Sequence, residues 1–482
     1  MTHLQHDEAS TLADGSEAAG AQEAPGAKRS LCSLVLVWSR DEPSRVGEVV
    51  IVPRHARSVS FSIGRARSAG QDGSIPLAFS RLRPFEVEAR GPLQAARVSR
   101  RHLRLKFVEG ALEVEHPGRG QLAINGSHVA SAKVKEGDII ESVGRFMLLV
   151  SRRPASWRTQ PATDAAKHFG EKDPSGIVGE SEAAWVLRRQ LKFAARHSAP
   201  VLVHGASGSG KELVVQAIHK ASPFATRPLV ARNAATLPEA LIDAELFGNL
   251  KNYPNPGMPE RPGLLGEADG SSLFLDEIGE LPQAMQAHLL RVMDSGEYQR
   301  LGEARPRVTR ARLIGATNRE LGELKHDLLA RFTLRVYVQG LPERRGDIML
   351  IARHLVRSFA DEDPELRDTF FTDGEPRFDP KLVHSLVRAS YTTHVRQLTE
   401  ILWRSIAAST GSTLQLPPGD CLPEEPETSD DPPKTVDVKH VTREQVIAAL
   451  ERCDGVRERT WRALGLRSRH QLKRLLKRHD IH

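Results

Sequence analysis

The sequence predicts a multidomain protein: an N-terminal all-β sandwich, a central α/β P-loop domain with a helical lid, and a C-terminal all-α helix-turn-helix unit. Three observations carry that prediction. Between residues 31 and 150, short apolar runs are cut by Gly and charged turns, the spacing of sandwich strands. At Val201-Leu202-Val203-His204 an apolar strand stops at Gly205-Ala206-Ser207-Gly208-Ser209-Gly210-Lys211-Glu212, and a helical pattern (Leu213, Val214, Ala217, Ile218) follows. Residues 441–482 hold eleven Lys/Arg against five Asp/Glu on a helical apolar spacing, so nearly all of the chain's net charge of +7 lies there.

Composition sets the bounds. At 482 residues with 39% apolar content, the chain is long enough for two to four domains, each with a core. Three widely separated cysteines, Cys32, Cys421 and Cys453, form neither a disulfide framework nor a zinc spacing. The first thirty residues lack an apolar signal region and no run of eighteen apolar residues occurs, so the expectation is a cytoplasmic protein without a membrane span.

Residues 1–30, rich in Ala, Gly, Glu and Asp, read as a disordered N-terminus. Residues 31–152 are the sandwich, with strands expected at Leu34–Val37, Val49–Val52, Val59–Ile63, Leu103–Phe107 and Phe146–Val150. Residues 153–176 are polar and read as a linker. Over 177–340 strand and helix signals alternate, as in a doubly wound sheet: after the phosphate loop come Leu229–Asn233, Ser272–Glu277 and Arg312–Asn318. Residues 341–412 form the lid. Between Thr413 and Pro433 there are six prolines and six acidic residues, so 413–440 reads as a tether that packs no core. Residues 441–482 give helices at Arg443–Cys453, Glu458–Leu464 and Ser468–Arg478, with Gly465 in the turn and Ser468 as N-cap.

The central motif has a direct chemical reading. Glycines at 205, 208 and 210 let backbone N–H groups close around phosphate oxygens at a helix N-terminus, and Lys211 reaches the β- and γ-phosphates. Ser272–Glu277 is an apolar strand ending in two carboxylates. Asp276 there suits Mg2+, and Glu277 suits the orientation and deprotonation of an attacking water.

GASGSGKE resembles the GE(S/T)GTGKE loop of bacterial enhancer-binding proteins, the AAA+ activators of sigma-54 RNA polymerase. The resemblance implies ATP and Mg2+ as cofactors, with Gly205, Ser207, Gly208, Ser209, Gly210, Lys211 and Glu212 around the phosphates and Ile177 and Val178 beside the nucleotide. It implies that Asn233 restrains Glu277 and that Thr317 and Asn318 form sensor I near the γ-phosphate. Arg331 becomes a finger reaching into a neighbour's site in a hexameric ring, with Lys325 where the family has a first finger arginine. Arg396 matches the sensor II arginine, although the PGN before it is not kept.

Gly64-Arg65, Ser99-Arg100-Arg101-His102, Asn125-Gly126 and Gly137-Asp138-Ile139-Ile140, in that order, resemble a forkhead-associated (FHA) domain. That family would use Arg65 and Ser99 on a phosphothreonine, Asn125 on the peptide backbone and His102 as a loop brace, which implies a phosphothreonine-containing partner protein. The C-terminal block resembles a Fis-type end. On that likeness Arg467, Ser468, Arg469, His470, Gln471, Lys473 and Arg474 face DNA, at a promoter or enhancer site.

One family motif is absent. Where the enhancer-binding proteins carry GAFTGA, this chain has Asn252-Tyr253-Pro254-Asn255-Pro256-Gly257, whose two prolines fix φ and remove donors. Three functions therefore stand: an ATP-dependent regulator working with sigma-54 polymerase, a DNA-binding regulator whose AAA+ unit only oligomerises, and a phosphopeptide-dependent scaffold with a vestigial ATPase.

Overall fold

The computed structural model describes residues 30–53, 59–69, 73–84, 86–155, 168–238, 241–419, 422–423, 442–452, 460–461, 464, 466 and 469–479. The chain divides into two compact units, Met1–Glu424 and Glu425–His482.

The N-terminal part of the first unit is a sandwich of an eight-stranded and a five-stranded sheet. Its first and last strands, Ser30–Ser39 and Phe146–Pro154, pair antiparallel at the centre of the larger sheet, with a register shift between Leu36 and Trp38. The stretch between Arg65 and Ser99 holds a hairpin, Phe79–Arg83 against Glu86–Gly91. Alternation along the central strands sorts two apolar sets. Leu34, Leu36, Val50, Ile140, Phe146, Leu148 and Val150 point between the sheets. Val35, Val37, Trp38, Val49, Ile139, Met147 and Leu149 belong to a second core together with Ile348, Met349, Leu350, Leu382, Val383 and Leu386 of the lid. Because successive side chains in a strand face opposite ways, these strands are apolar on both sides and buried on both.

The central region is a five-stranded sheet in the order Val230–Asn233, Ser272–Asp276, Arg312–Thr317, Val201–His204, Leu334–Tyr337. Every pairing in it is parallel. All five strands therefore end at one edge, and the phosphate-loop strand lies inside the sheet. Helices Glu182–Arg196 and Lys211–Lys220 cover it, burying Leu187, Leu191, Val214, Val215 and Ile218 against Val201, Val203 and Ile314.

Two expected linkers are corrected. In the first, the strand Phe146–Pro154 runs on past residue 152, and Asp173 is a buried partner of Arg188 at 2.6 Å. In the second, Leu414 is fully buried in the lid core, bridged to Phe378, and Pro423 O accepts a hydrogen bond from Ser390 N. A leucine in a proline-rich run packs as well as any other once a groove receives it. Residues 156–167 and 424–441, and the N-terminal stretch 1–29, lie outside the described residues. Among the described residues no helix is long and apolar enough to cross a membrane.

In the second unit, Thr442 and Gln445 form a capping box: Thr442 N donates to Gln445 Oε1 at 3.0 Å and Gln445 N to Thr442 Oγ1 at 3.4 Å. Helices Arg443–Arg452 and Arg469–Arg478 share a core of Val446, Leu466, Leu472, Leu475 and Leu476.

Candidate functional site

The site lies at the carboxyl edge of the parallel sheet. Val201–His204 stops at Gly205, the chain turns through residues 206–209, and Gly210 N-caps the helix Lys211–Lys220. The turn demands glycine at two places. A Cβ on Gly205 would sit 2.4 Å from Val338 O, and one on Gly208, where φ is +73°, would sit 2.2 Å from Thr393 O. Lys211 bends back so that Nζ donates to Gly205 O (3.0 Å) and Ala206 O (3.2 Å), placing the ammonium inside the loop's own curve. Burial lowers its pKa below the ordinary lysine value; the carboxylates of Glu277 and Asp276 oppose that shift and Arg396 adds to it. Ser209 is buried, Ser207 half-buried, and Glu212 exposed with its Oε1 accepting from Gln216 Nε2 at 3.4 Å.

Asp276 and Glu277 end the neighbouring strand but one. Asp276 Oδ1 accepts from Glu277 N at 3.0 Å. Glu277 adopts φ +50°, ψ 45°, a left-handed conformation uncommon for a non-glycine residue and frequent at functional sites. Its Oε2 lies 3.4 Å from Asn318 N, so the segment after the strand Arg312–Thr317 touches the carboxylate through backbone. Thr317 is fully buried, and its Oγ1 accepts from Arg319 N at 3.1 Å.

The lid reaches the loop directly. Val395 N donates to Gly208 O at 3.0 Å at the start of the helix His394–Ala408, which sets Arg396 beside the phosphate loop without the PGN turn. His394, at φ +42°, fills the turn, its Nδ1 accepting from Leu341 N at 3.4 Å.

Other expected residues fall elsewhere. Asn233 Oδ1 accepts from Ala235 N at 2.9 Å, capping its own turn. Arg331 is exposed and paired with Asp294 at 2.6 Å. Ile177 is buried in a core on one face of the sheet and Val178 in the core shared by the sandwich and the lid, and Ile177 N and O are engaged by Asp173 and Arg188.

In the sandwich, Arg65 and Ser99 are both exposed and adjacent: Arg65 N donates to Ser99 O at 3.1 Å, and Arg65 Nε to Val98 O at 2.6 Å. His102 braces that loop. Its Nδ1 accepts from Ser99 N at 3.1 Å, which leaves Nε2–H to donate to Ser142 Oγ at 2.6 Å. Burial, with the charges of His116 and Arg145, pulls its pKa down to about 4. Asn125 is half-buried; its Nδ2 donates to Asp138 Oδ1 and its Oδ1 accepts from Ile139 N, both at 2.9 Å, so the amide holds Gly137–Ile139 in place.

At the C-terminal end, Arg469, His470, Gln471, Lys473 and Arg474 lie on the helix Arg469–Arg478, with Gln471 half-buried and Arg474 exposed. Arg467 and Ser468 lie outside the described residues.

Two groups escaped sequence reasoning. Arg344, buried in the hinge Pro342–Asp347, donates from Nη2 to Ser209 O at 3.3 Å, tying the hinge to the loop. Asp347 Oδ1 accepts from Glu180 N and Ser181 N at 2.8 and 2.9 Å, while Glu180 Oε1 takes Arg83 Nη2 of the sandwich at 2.8 Å. The visible signal is Glu343-Arg344-Arg345-Gly346-Asp347, a charged cluster flanked by apolar residues and therefore a candidate for buried pairing.

The family model described as the sigma-54 interaction domain matches residues 177–338. The chain is 35% identical over 311 residues to the transcriptional regulatory protein ZraR of Salmonella typhimurium, covering 62% of this chain and 68% of that protein. It is 30% identical over 378 residues to the Nif-specific regulatory protein of Bradyrhizobium diazoefficiens, covering 76% of this chain and 61% of that one. Among solved structures, it is similar to NtrX from Brucella abortus in complex with ATP, at 28% identity and a TM-score of 0.44 over 63% of this chain and 69% of that one. The chain belongs to the family of transcriptional regulators that carry a sigma-54 interaction domain.

Proposed function

We propose that this protein is an ATP-hydrolysing transcriptional regulator of the sigma-54 type, whose sandwich reads a threonine-phosphorylated partner and whose C-terminal unit binds promoter or enhancer DNA. The observation that carries the reading is the convergence of Lys211, Arg396, Asp276 and Glu277 on one glycine loop, close enough for the other three to shift the lysine's pKa.

The residues fit ATP with Mg2+. The loop is too tight for Cβ atoms at 205 and 208, and its lysine rests on carbonyls that a phosphate would replace as partner. Asp276 would hold the ion, and bound Mg2+ would neutralise phosphate charge during transfer. Lys211 and Arg396 supply cations from the loop and the lid. Glu277, held by Asp276 and by the Asn318 backbone, is placed to take a proton from water. Arg331 acts on a neighbouring subunit's site in a ring once it leaves Asp294. Arg65 and Ser99 supply a guanidinium and a hydroxyl for the phosphate of a phosphothreonine, which an unmodified threonine would not engage. Arg474 contacts DNA from the exposed side of its helix.

The test pairs two variants. Lys211→Ala should abolish ATP binding, whereas Glu277→Ala should bind ATP within a few-fold of wild type while its turnover drops by about 10²-fold or more. Equal loss of affinity in both would refute the assignment.

A second reading, regulation without a productive sigma-54 contact, is favoured by the divergent loop. Leu250 N donates to Leu301 O at 3.0 Å, and the Tyr253 ring lies against Gly302. Arg300 joins Glu260 and Glu303 at 2.7 and 3.1 Å. The 249–261 loop is thereby fastened to the hairpin of Glu297–Tyr298 and Arg307–Val308.

A further inference from the structure

A cavity of about 690 Å³ opens at the seam between the sandwich and the lid, far larger than a packing defect and within the roughly 300–1,000 Å³ range of small-molecule sites. We propose that it binds a small aromatic carboxylate bearing a ring hydroxyl, and that this ligand fastens sandwich to lid. The proposal does not rest on the ATPase reading.

The walls supply the apolar half. Trp38 from the sandwich and Met349, Pro376 and Phe378 from the lid line the cavity, and Trp38 Nε1 spans the seam to donate to Phe378 O at 3.0 Å. A flat ring seated here touches both layers at once.

The charges select an anion. Four arginines (40, 97, 353 and 377) face three carboxylates (41, 375 and 379). Glu375 is already matched by Arg357 at 3.0 Å and Arg353 at 3.7 Å, and Asp379 Oδ1 caps the helix Pro380–Arg388 by accepting from Lys381 N at 2.9 Å. Arg40, Arg97 and Asp41 are exposed at the mouth, so one net positive charge falls there.

Two buried polar atoms specify the rest. Arg377 Nε and Glu375 Oε2 have no hydrogen-bond partner, although both side chains line the cavity. Buried donors and acceptors are rarely left unmade. A carboxylate would accept from the arginines, and a ring hydroxyl would donate to Glu375 Oε2.

Isothermal titration of the full-length protein with 4-hydroxybenzoate, benzoate and acetate tests the site. We expect 4-hydroxybenzoate to bind more tightly than benzoate and acetate not to bind. Arg40→Ala/Arg97→Ala, exposed positions whose loss spares the fold, should weaken binding at least tenfold, and Asp41→Asn should strengthen it. Arg65→Ala should leave it unchanged. No binding by either aromatic acid overturns the proposal, as does equal binding by acetate, equal affinity in the Arg40/Arg97 variant, or loss on Arg65→Ala, which would move the anion to the phosphothreonine loop.

Discussion

Glu180 joins three parts of the first unit, and replacing it is the most direct measure of how firmly they are joined. Its side chain is 3% exposed, and that of its partner Arg83 is 12% exposed. Removing one member of a buried ion pair costs about 3–5 kcal/mol, because the other is left uncompensated. Arg83 keeps a hydrogen bond to His168 O at 3.1 Å and lies 5.6 Å from the Phe169 ring centre, which places Glu180→Ala near the lower end, about 3 kcal/mol. Gly170 N, which donates to Glu180 Oε1 at 2.9 Å, loses its acceptor as well. The assay is urea unfolding followed by tryptophan fluorescence, since Trp38 sits on the seam, with Arg83→Ala and the double variant completing a cycle. We expect the double variant to recover about 2 kcal/mol relative to the sum of the singles. A coupling below about 0.5 kcal/mol would show that the sandwich is held by its apolar face alone.

Further outcomes follow from other parts of the chain. The full-length protein should prefer a phosphothreonine peptide over its unmodified form on a peptide array and Arg65→Ala should erase that difference; a preference that survives would remove Arg65 from the site. His102 titrates near 4 in the fold against about 6.5 unfolded, so between those values the unfolded chain binds more protons and stability falls as pH is lowered. From pH 6.5 to 5 the loss is about 1.5 kcal/mol, and His102→Gln should flatten that part of the denaturation profile. The fastened 249–261 loop should support little open-complex formation with sigma-54 holoenzyme in an ATP-driven transcription assay. Robust transcription that disappears in Tyr253→Ala would show that Tyr253 has taken over the sigma contact.

The phosphate loop and the paired carboxylates were legible because each is contiguous: Val201–Glu212 contains strand, turn and lysine, and Ser272–Glu277 contains strand and both carboxylates. The sandwich was legible as a fold for a similar reason, but its docking was not. Leu34-Val35-Leu36-Val37-Trp38 and Phe146-Met147-Leu148-Leu149-Val150 are continuous apolar runs, and continuity, where one solvated face would give alternation, is the mark of a strand covered on both faces. What covers the outer face is a lid roughly two hundred residues beyond the second run and three hundred beyond the first, which no local pattern reports. Asn125 illustrates the same limit at the scale of one side chain, because whether its amide turns outward or toward Asp138 depends on a strand thirteen residues later. Leu414 shows it for linkers: proline and acid content described the segment correctly as irregular, yet Leu414 bridges to Phe378, and Leu416 and Leu422 pack against the same core.

The hydrogen bond between Val395 and Gly208 makes the helix His394–Ala408 a lever with its fulcrum on the phosphate loop. Fifteen residues at 1.5 Å each give an arm of about 22 Å, so a tilt of about 5° at the loop displaces the far end by roughly 2 Å. A displacement too small to break a contact near the phosphates becomes, at Ala408, comparable to the gap between neighbouring side chains. Beyond that end the chain returns through Leu414 to Phe378, whose carbonyl takes the indole of Trp38. The amplified end of the arm is therefore the one that runs on toward the sandwich.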